Sequence, residues 1–379
     1  MARVVVLGGY GVFGSRVVRS LVRHDELEVV VAGRNMRNAE AFCAGLTGRN
    51  AIPAAVDCVA ADAVARVRAL SPKVVVDAVG PFQGRNHELA RGCAAGGIHY
   101  VDLADSRPHV CSIADLESLA RQAGVLLISG ASTVPALSTA VADELVRGLS
   151  IVESIDVGIS PGHRGPRGVA TVESILSYCG HRIPALVDAT PSTQFGWGDL
   201  HRHRYPAPIG SRWLSNVDVP ERALWPSRYA GLRSIRLAAG LEVGVLHLAL
   251  SAASRLVRLG WVRSLVPRAR SMIRIAAAFD AWASDAGAMH VQVRGADARG
   301  RAVKRTWTLI AEGGDGPQIP ATPAALLVKK LLSVGGYAPL SARGAAPCIG
   351  LLPLSELMGE LAGLAIRTQL DEEEIAISR

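Results

Sequence analysis

Lysine is nearly missing from this 379-residue chain: only Lys73, Lys304, Lys329 and Lys330 stand among its 41 basic residues. The formal charge is +8, but the arginines that produce it are dispersed, which argues against a phosphate-tracking, nucleic-acid-binding surface. Aromatic residues make up 4% of the chain, leaving few platforms on which bases could stack. The six cysteines contain no C-x-x-C pair, so a zinc or redox motif is not expected and the thiols read as reduced and cytoplasmic. Long apolar runs are also lacking. The stretch from Leu237 to Leu250 carries Glu242 and His247 and falls short of the roughly 20 residues that a bilayer span requires. The first β-branched run begins at Arg3, ahead of which a secretory leader has no room, so secretion is not expected. No G-x-S-x-G elbow is present to serve a nucleophilic serine.

What is present is a cadence. Short apolar runs at residues 3, 28, 51, 74, 99, 125 and 153 alternate with helical patterns, several of which close on glycine. Near-continuous apolar strands imply a parallel sheet covered on both faces. The expected fold is α/β, a Rossmann-type doubly wound parallel sheet over residues 1–133, joined to an α+β domain over 134–349. A closing helix within 350–379 is expected to return to the first domain, its DEEE stretch forming a solvated end. Residues 161–233, rich in Gly, Pro, Arg and His, read as irregular and substrate-facing. Met272, Ile275, Phe279 and Trp282 repeat at helical spacing and predict a core stripe. MHVQVRGADARGRAVKRTWTLIAEG predicts a β-hairpin.

Chemistry concentrates in RVVVLGGYGVFGSRVVRSLVRH. Gly9, Gly11 and Gly14 form G-x-G-x-x-G between a strand and a helix, the arrangement that brings a pyrophosphate onto helix N–H groups. The second strand ends EVVVAGRN. Gly33 and Arg34 occupy the place where NAD-selective sites put an acid, so NADP(H) is expected over NAD(H), with Arg34 on the 2′-phosphate and Asn35 beside it.

These residues, with VVVDAVGPFQG and HYVDLAD, resemble the saccharopine dehydrogenase-like family over roughly the first 130 residues. The resemblance implies a Rossmann domain joined to an α+β domain, a nicotinamide cofactor between them, and a homodimer. Carried over by position, Gly9, Gly11, Val12, Phe13 and Gly14 would hold the pyrophosphate, and Gly80, Pro81 and Phe82 would pass beneath the nicotinamide. Gly8, Tyr10, Asp57 and Val79 complete the expected cofactor contacts. Lysine-pathway saccharopine reductases carry tyrosine where Phe82 stands, and an acidic segment ending Asp-Pro-Gly where this chain reads SGASTVPAL, which argues against saccharopine itself as substrate.

For proton transfer, Asp102 at the end of the fifth strand is the first candidate, with Tyr100 on the same face; anchoring the following loop is its equally weighted alternative. His163, with Arg164 and Arg167 as carboxylate clamps, sits on a Gly/Pro-held loop. His201 and His203 share a strand face but lack a third ligand, so no metal is expected. The expected activity is cytoplasmic NADP(H)-dependent oxidoreduction of a C=N or C=O bond in a small carboxylated or amino-acid-derived molecule. Its rivals are an NADP(H)-binding protein without turnover and a peripheral membrane protein. The second is weakened because Gly260 and Pro267 interrupt any continuous basic helix.

Overall fold

The computed structural model describes residues 1–48, 50–166 and 168–374. The chain forms two units, one of residues 1–137 and 317–360, the other of residues 138–316 and 361–379.

The first unit is a seven-stranded, wholly parallel sheet. Its strands are β1 (Ala2–Leu7), β2 (Leu27–Gly33), β3 (Ala51–Ala55), β4 (Val74–Asp77), β5 (His99–Asp102), β6 (Leu126–Ser129) and the short segment Gly344–Pro347. Their order is Gly344–Pro347, β6, β5, β4, β1, β2, β3. Val4, Val5, Val6 and Leu7 are fully buried, as two-sided helix cover requires. β3 is the exception: it is an edge strand, and its Ile52 is exposed. The sheet runs outward in opposite directions from β1 and β4, which places a topological switch point at their carboxyl ends.

The run at 153 lies in the second unit, and the seventh strand comes from beyond the expected bounds of the first domain. Gly344–Pro347 supplies it, pairing with β6. Helix Thr322–Leu332 of this unit buries Lys329 and Lys330, whose ammonium groups each reach a carboxylate, of Glu360 and Glu356, at 2.7 Å. Those pairs hold the returning segment, which begins well before residue 350.

The second unit is built on a mixed sheet in the order His201–Arg204, Ser211–Asn216, Ser234–Ala239, Leu149–Ser160, Gly287–Asp297, Ala302–Ala311, Ile366–Glu374, with the hairpin Arg182–Val187 and Thr190–Phe195 attached to Ser234–Ala239. The expected hairpin is Gly287–Asp297 with Ala302–Ala311. Register places Ile155, Val157, Ile235, Leu237, Val291 and Val293 on one buried face, against which helix Ser138–Leu145 packs. Ser154, Asp156, Arg236, Gln292 and Arg294 alternate onto the other face.

Three expectations change here. Residues 161–233 are regular, holding four strands and helices Val169–Tyr178 and Glu221–Arg228; their strands are short and polar, so apolar periodicity does not reveal them. The DEEE segment is an edge strand, where Glu373 meets Lys304 at 2.7 Å and Glu372 meets Arg305 at 2.9 Å across the ladder. The Met272 to Trp282 stripe is not core: its helix stops at Ala277, and Ile275 and Trp282 are exposed.

Candidate functional site

The glycine turn does what its spacing requires. Gly8 adopts φ +70°, and Gly11 N–H closes the turn on the Gly8 carbonyl at 2.8 Å. A Cβ on Gly14 would lie 2.2 Å from that same oxygen, and one on Gly9 would lie 2.9 Å from the Val6 carbonyl and 3.0 Å from Val31. Helix α1 (Gly14–Leu21) therefore packs directly on the strand end. No side chain caps α1 and its first turn holds no acid, so its N-terminal dipole faces outward uncompensated. A cradle that Cβ atoms would fill, under an uncapped helix, fits a dinucleotide pyrophosphate.

At the end of β2 the fit continues. The Tyr10 ring lies over Gly33, where any Cβ would meet it at 2.5 Å, and its hydroxyl accepts the Asn35 N–H at 3.0 Å. The Asn35 side chain is committed elsewhere: it caps helix Met36–Ala44 by accepting from Asn38 N–H at 3.2 Å. Arg34 is exposed and makes no ion pair or hydrogen bond among the described residues. Asp57 accepts from Val59 N–H at 3.2 Å in the turn after β3.

Beside the turn lies a cluster of charged groups at the ends of β4 and β5. Asp77 and Asp102 pair in register, and neither is exposed. Asp77 accepts from Arg85 Nη2 at 2.7 Å, from Val79 N–H at 2.9 Å and from the Tyr100 hydroxyl at 3.3 Å. Arg85 also donates to the Val79 carbonyl at 2.6 Å and lies 4.9 Å from the Phe82 ring centroid, which fixes the Val79–Gly80–Pro81–Phe82 loop. Val79 in turn sits where a Cβ on Gly8 would touch it.

Asp102 accepts from Ser129 Oγ at 2.8 Å, Gly130 N–H at 2.9 Å and Ala104 N–H at 3.0 Å through one oxygen, and faces His109 Nε2 at 3.3 Å through the other. The Nδ1 of His109 faces the Arg85 carbonyl at 3.2 Å. Both ring nitrogens therefore meet acceptors, and only the imidazolium satisfies both. Burial lowers the His109 pKa, but the hydrogen bond and charge of Asp102 outweigh it and raise the pKa above the ordinary imidazole value. Burial raises the Asp102 pKa, but His109 and the backbone donors bring it below the usual carboxylate range. His87 lies beside His109, with ring centroids 4.2 Å apart and the rings tilted by 39°. Its Nε2 pairs with Ser112 Oγ at 3.0 Å, while its buried Nδ1 has no partner among the described residues.

Asp102 is thus enclosed, and its first duty is to anchor loops and hold His109. Tyr100 is 2% exposed and spends its proton on Asp77. His163 and Arg164 belong to the second unit, where His163 Nε2 bonds the Ala276 carbonyl at 2.9 Å and Arg164 Nε bonds the Asp280 carbonyl at 2.9 Å. They fasten their loop to residues 276–284. Arg167 lies outside the described residues. His203 stacks on His290 with centroids 3.7 Å apart, and no group of three metal-ligating side chains occurs among the described residues. Asp77, Arg85, His87 and His109 were not among the expected site residues, although two neighbouring strands that both end in aspartate, VVVD and HYVD, signal such a pair.

Residues 4–128 match the family model described as the saccharopine dehydrogenase NADP binding domain. This stretch is therefore similar to the nucleotide-binding domain of saccharopine dehydrogenases. Over the whole chain, the fold resembles that of apo saccharopine dehydrogenase (L-Glu forming) from Saccharomyces cerevisiae, with TM-score 0.70 and 13% identity over 98% of this chain and 100% of that one. An amine dehydrogenase from Mycobacterium smegmatis aligns at TM-score 0.43 and 12% identity, covering 93% of this chain and 96% of its own. No curated protein sequence matches the chain significantly.

The second unit has a groove of about 830 Å³ on the polar face of its sheet. Arg233, Arg236 and Arg294 line it together with Asp156 and Asp199, and Arg236 pairs with both acids, at 3.5 and 3.6 Å.

Proposed function

We propose that the protein is an NADP(H)-dependent oxidoreductase acting on a C=N or C=O bond of a small carboxylated or amino-acid-derived substrate. The observation that carries this reading is the glycine cradle beneath an uncapped helix, followed by a second strand that ends on an unpaired Arg34 with no competing acid. Bound there, the nicotinamide would supply hydride. The chain's own residues do the rest. Gly9 to Gly14 bind the pyrophosphate, Arg34 binds the 2′-phosphate, and Arg85 fixes the loop through Phe82. The imidazolium of His109, oriented by Asp102, holds a proton at the carboxyl end of the sheet, where ligands of such folds bind. The substrate class rests on the groove of the second unit, where the guanidinium groups of Arg233 and Arg294 suit a carboxylate.

One observation favours a second reading, nucleotide binding without turnover: Asp102 and Tyr100 are both enclosed and internally bonded. Calorimetric titration with NADPH and NADH tests the binding, and tighter NADPH binding is the expected result. Anaerobic incubation with carboxylated imines and keto acids, followed by NADPH absorbance, separates the readings. Consumption supports the oxidoreductase; binding without consumption across the panel supports the second reading.

A further inference from the structure

Helix Gly244–Arg258 is turned inside out. It buries His247, Ser251, Ser254 and Val257. Ser254 donates to the Gly196 carbonyl at 3.0 Å and His247 pairs with Ser215 at 3.0 Å. The exposed side carries Val245, Leu248 and Leu256, and just past the helix end Leu259 and Trp261 are 64% and 76% exposed. After the break at Gly260 and Pro267, helix Ala269–Ala277 and the turn Asp280–Trp282 add exposed Ile275 and Trp282, the latter at 82%. Elsewhere the exposed large apolar side chains are scattered along the chain, whereas seven fall within residues 245–282. Such a concentration along one segment points to an interaction surface.

The charge on the segment identifies the partner. Arg255, Arg258, Arg263, Arg268, Arg270 and Arg274 stand in it against one acid, Asp280. Asp280 is engaged, lying 3.4 Å from His163 Nε2. None of the six arginines forms an ion pair among the described residues. A second copy of this chain docked across a two-fold axis would set arginine against arginine, which opposes self-association. An anionic lipid surface matches on both counts: its headgroups take the guanidinium charge, and its interfacial zone takes leucine and tryptophan side chains.

We propose that residues 245–282 form a docking face for anionic membranes, two short helices interrupted at Gly260 and Pro267 lying along the surface. No helix among the described residues is long and apolar enough to cross a membrane, so the attachment is peripheral. This inference stands apart from the nucleotide site and holds whether or not the protein turns over a substrate.

The test is co-sedimentation of the full chain with vesicles of phosphatidylcholine mixed with phosphatidylglycerol, against vesicles of phosphatidylcholine alone. Binding should favour the anionic vesicles, weaken with added salt and shift tryptophan emission to the blue. Leu259→Asp and Trp261→Ser alter exposed side chains, so melting curves should match the parent while vesicle binding falls by about tenfold or more. Arg255→Glu combined with Arg263→Glu should act likewise by reversing charge. Failure to bind anionic vesicles, or equal binding to both kinds, overturns the proposal. So does a dimer in sedimentation equilibrium that Leu259→Asp dissociates, since the face would then be covered by a second copy.

Discussion

Asp77 and Asp102 stand opposite each other in register on adjacent parallel strands, yet their surroundings push the two carboxyls in opposite directions. Burial raises Asp77, and Arg85 with the Val79 amide only partly offsets it. At Asp102 the burial penalty is outweighed by His109 and two backbone donors, so its pKa falls. Environments that separate a carboxyl pair in this way are a feature of sites that move protons.

Arg85 is the cation that makes buried Asp77 tolerable, and it also ties down the loop through Phe82. Arg85→Met should leave an uncompensated buried carboxylate and cost about 3–5 kcal/mol of stability, seen as a lower melting temperature. Asp77→Asn in the same background should recover much of the loss. Recovery of stability without recovery of NADPH affinity would show that the guanidinium also shapes the loop.

The Asp102–His109 pair predicts a two-sided pH profile. His109 titrates higher in the folded chain than its ordinary value of about 6.5, so its contribution is complete below that value and is lost as pH rises through the folded pKa. Asp102 titrates lower when folded, so its contribution is present above the ordinary carboxylate pKa and is lost as pH falls through the depressed value. Denaturant unfolding of the parent and of His109→Gln should differ most in mildly acidic solution. The gap should close toward alkaline pH with a slope of up to about 1.4 kcal/mol per pH unit. A gap independent of pH would mean that His109 is neutral in the folded chain.

The glycines of the turn separate packing from binding. Gly14→Ala places a methyl 2.2 Å from the Gly8 carbonyl and should destabilise the first unit by about 1–3 kcal/mol as well as abolish nucleotide binding. At Gly11 the same methyl meets that oxygen at 3.0 Å, a contact relieved by a small shift. Gly11→Ala should therefore keep the melting temperature close to the parent's while weakening NADPH binding by about tenfold or more, because the methyl occupies the approach to the pyrophosphate. Calorimetry with thermal unfolding checks both variants.

The parallel strands and the glycine turn were legible because each follows from a local rule: two-sided burial gives unbroken apolar runs, and a close strand–helix approach demands Gly14. Gly344–Pro347 was hidden, since GAAP carries no β-branched residue and gains its strand character only from β6 beside it. The carboxyl-terminal strand was hidden for a related reason, its acids having low β-propensity and being held by Lys304 and Arg305 across the ladder. Asp102 could be found from its strand end, but not its enclosure, because His109 and the Ser129–Gly130 pair arrive from two separate segments. The Met272 to Trp282 spacing misled because helical periodicity reports one apolar face without saying whether protein covers it.

On the proposed reading, selectivity for the cofactor turns on Arg34. Its neighbours leave it free: Tyr10 occupies the space over Gly33, Asn35 spends its side chain on the helix cap, and no acid stands at the end of β2 to pair with the guanidinium or to take a ribose hydroxyl. A charge-assisted contact from Arg34 to the 2′-phosphate is worth about 1.5–3 kcal/mol, roughly a tenfold to hundredfold change in affinity. Arg34→Gln should therefore weaken NADPH by that factor and leave NADH nearly unchanged, and the difference should shrink as salt screens the parent's contact. Arg34→Asp goes further, because a carboxylate there repels the phosphate and can accept from the hydroxyl, so it should invert the preference. Equal NADPH affinity in the parent and in Arg34→Gln would place the phosphate ligand elsewhere, while binding that persists in both would leave the glycine cradle intact as the pyrophosphate site.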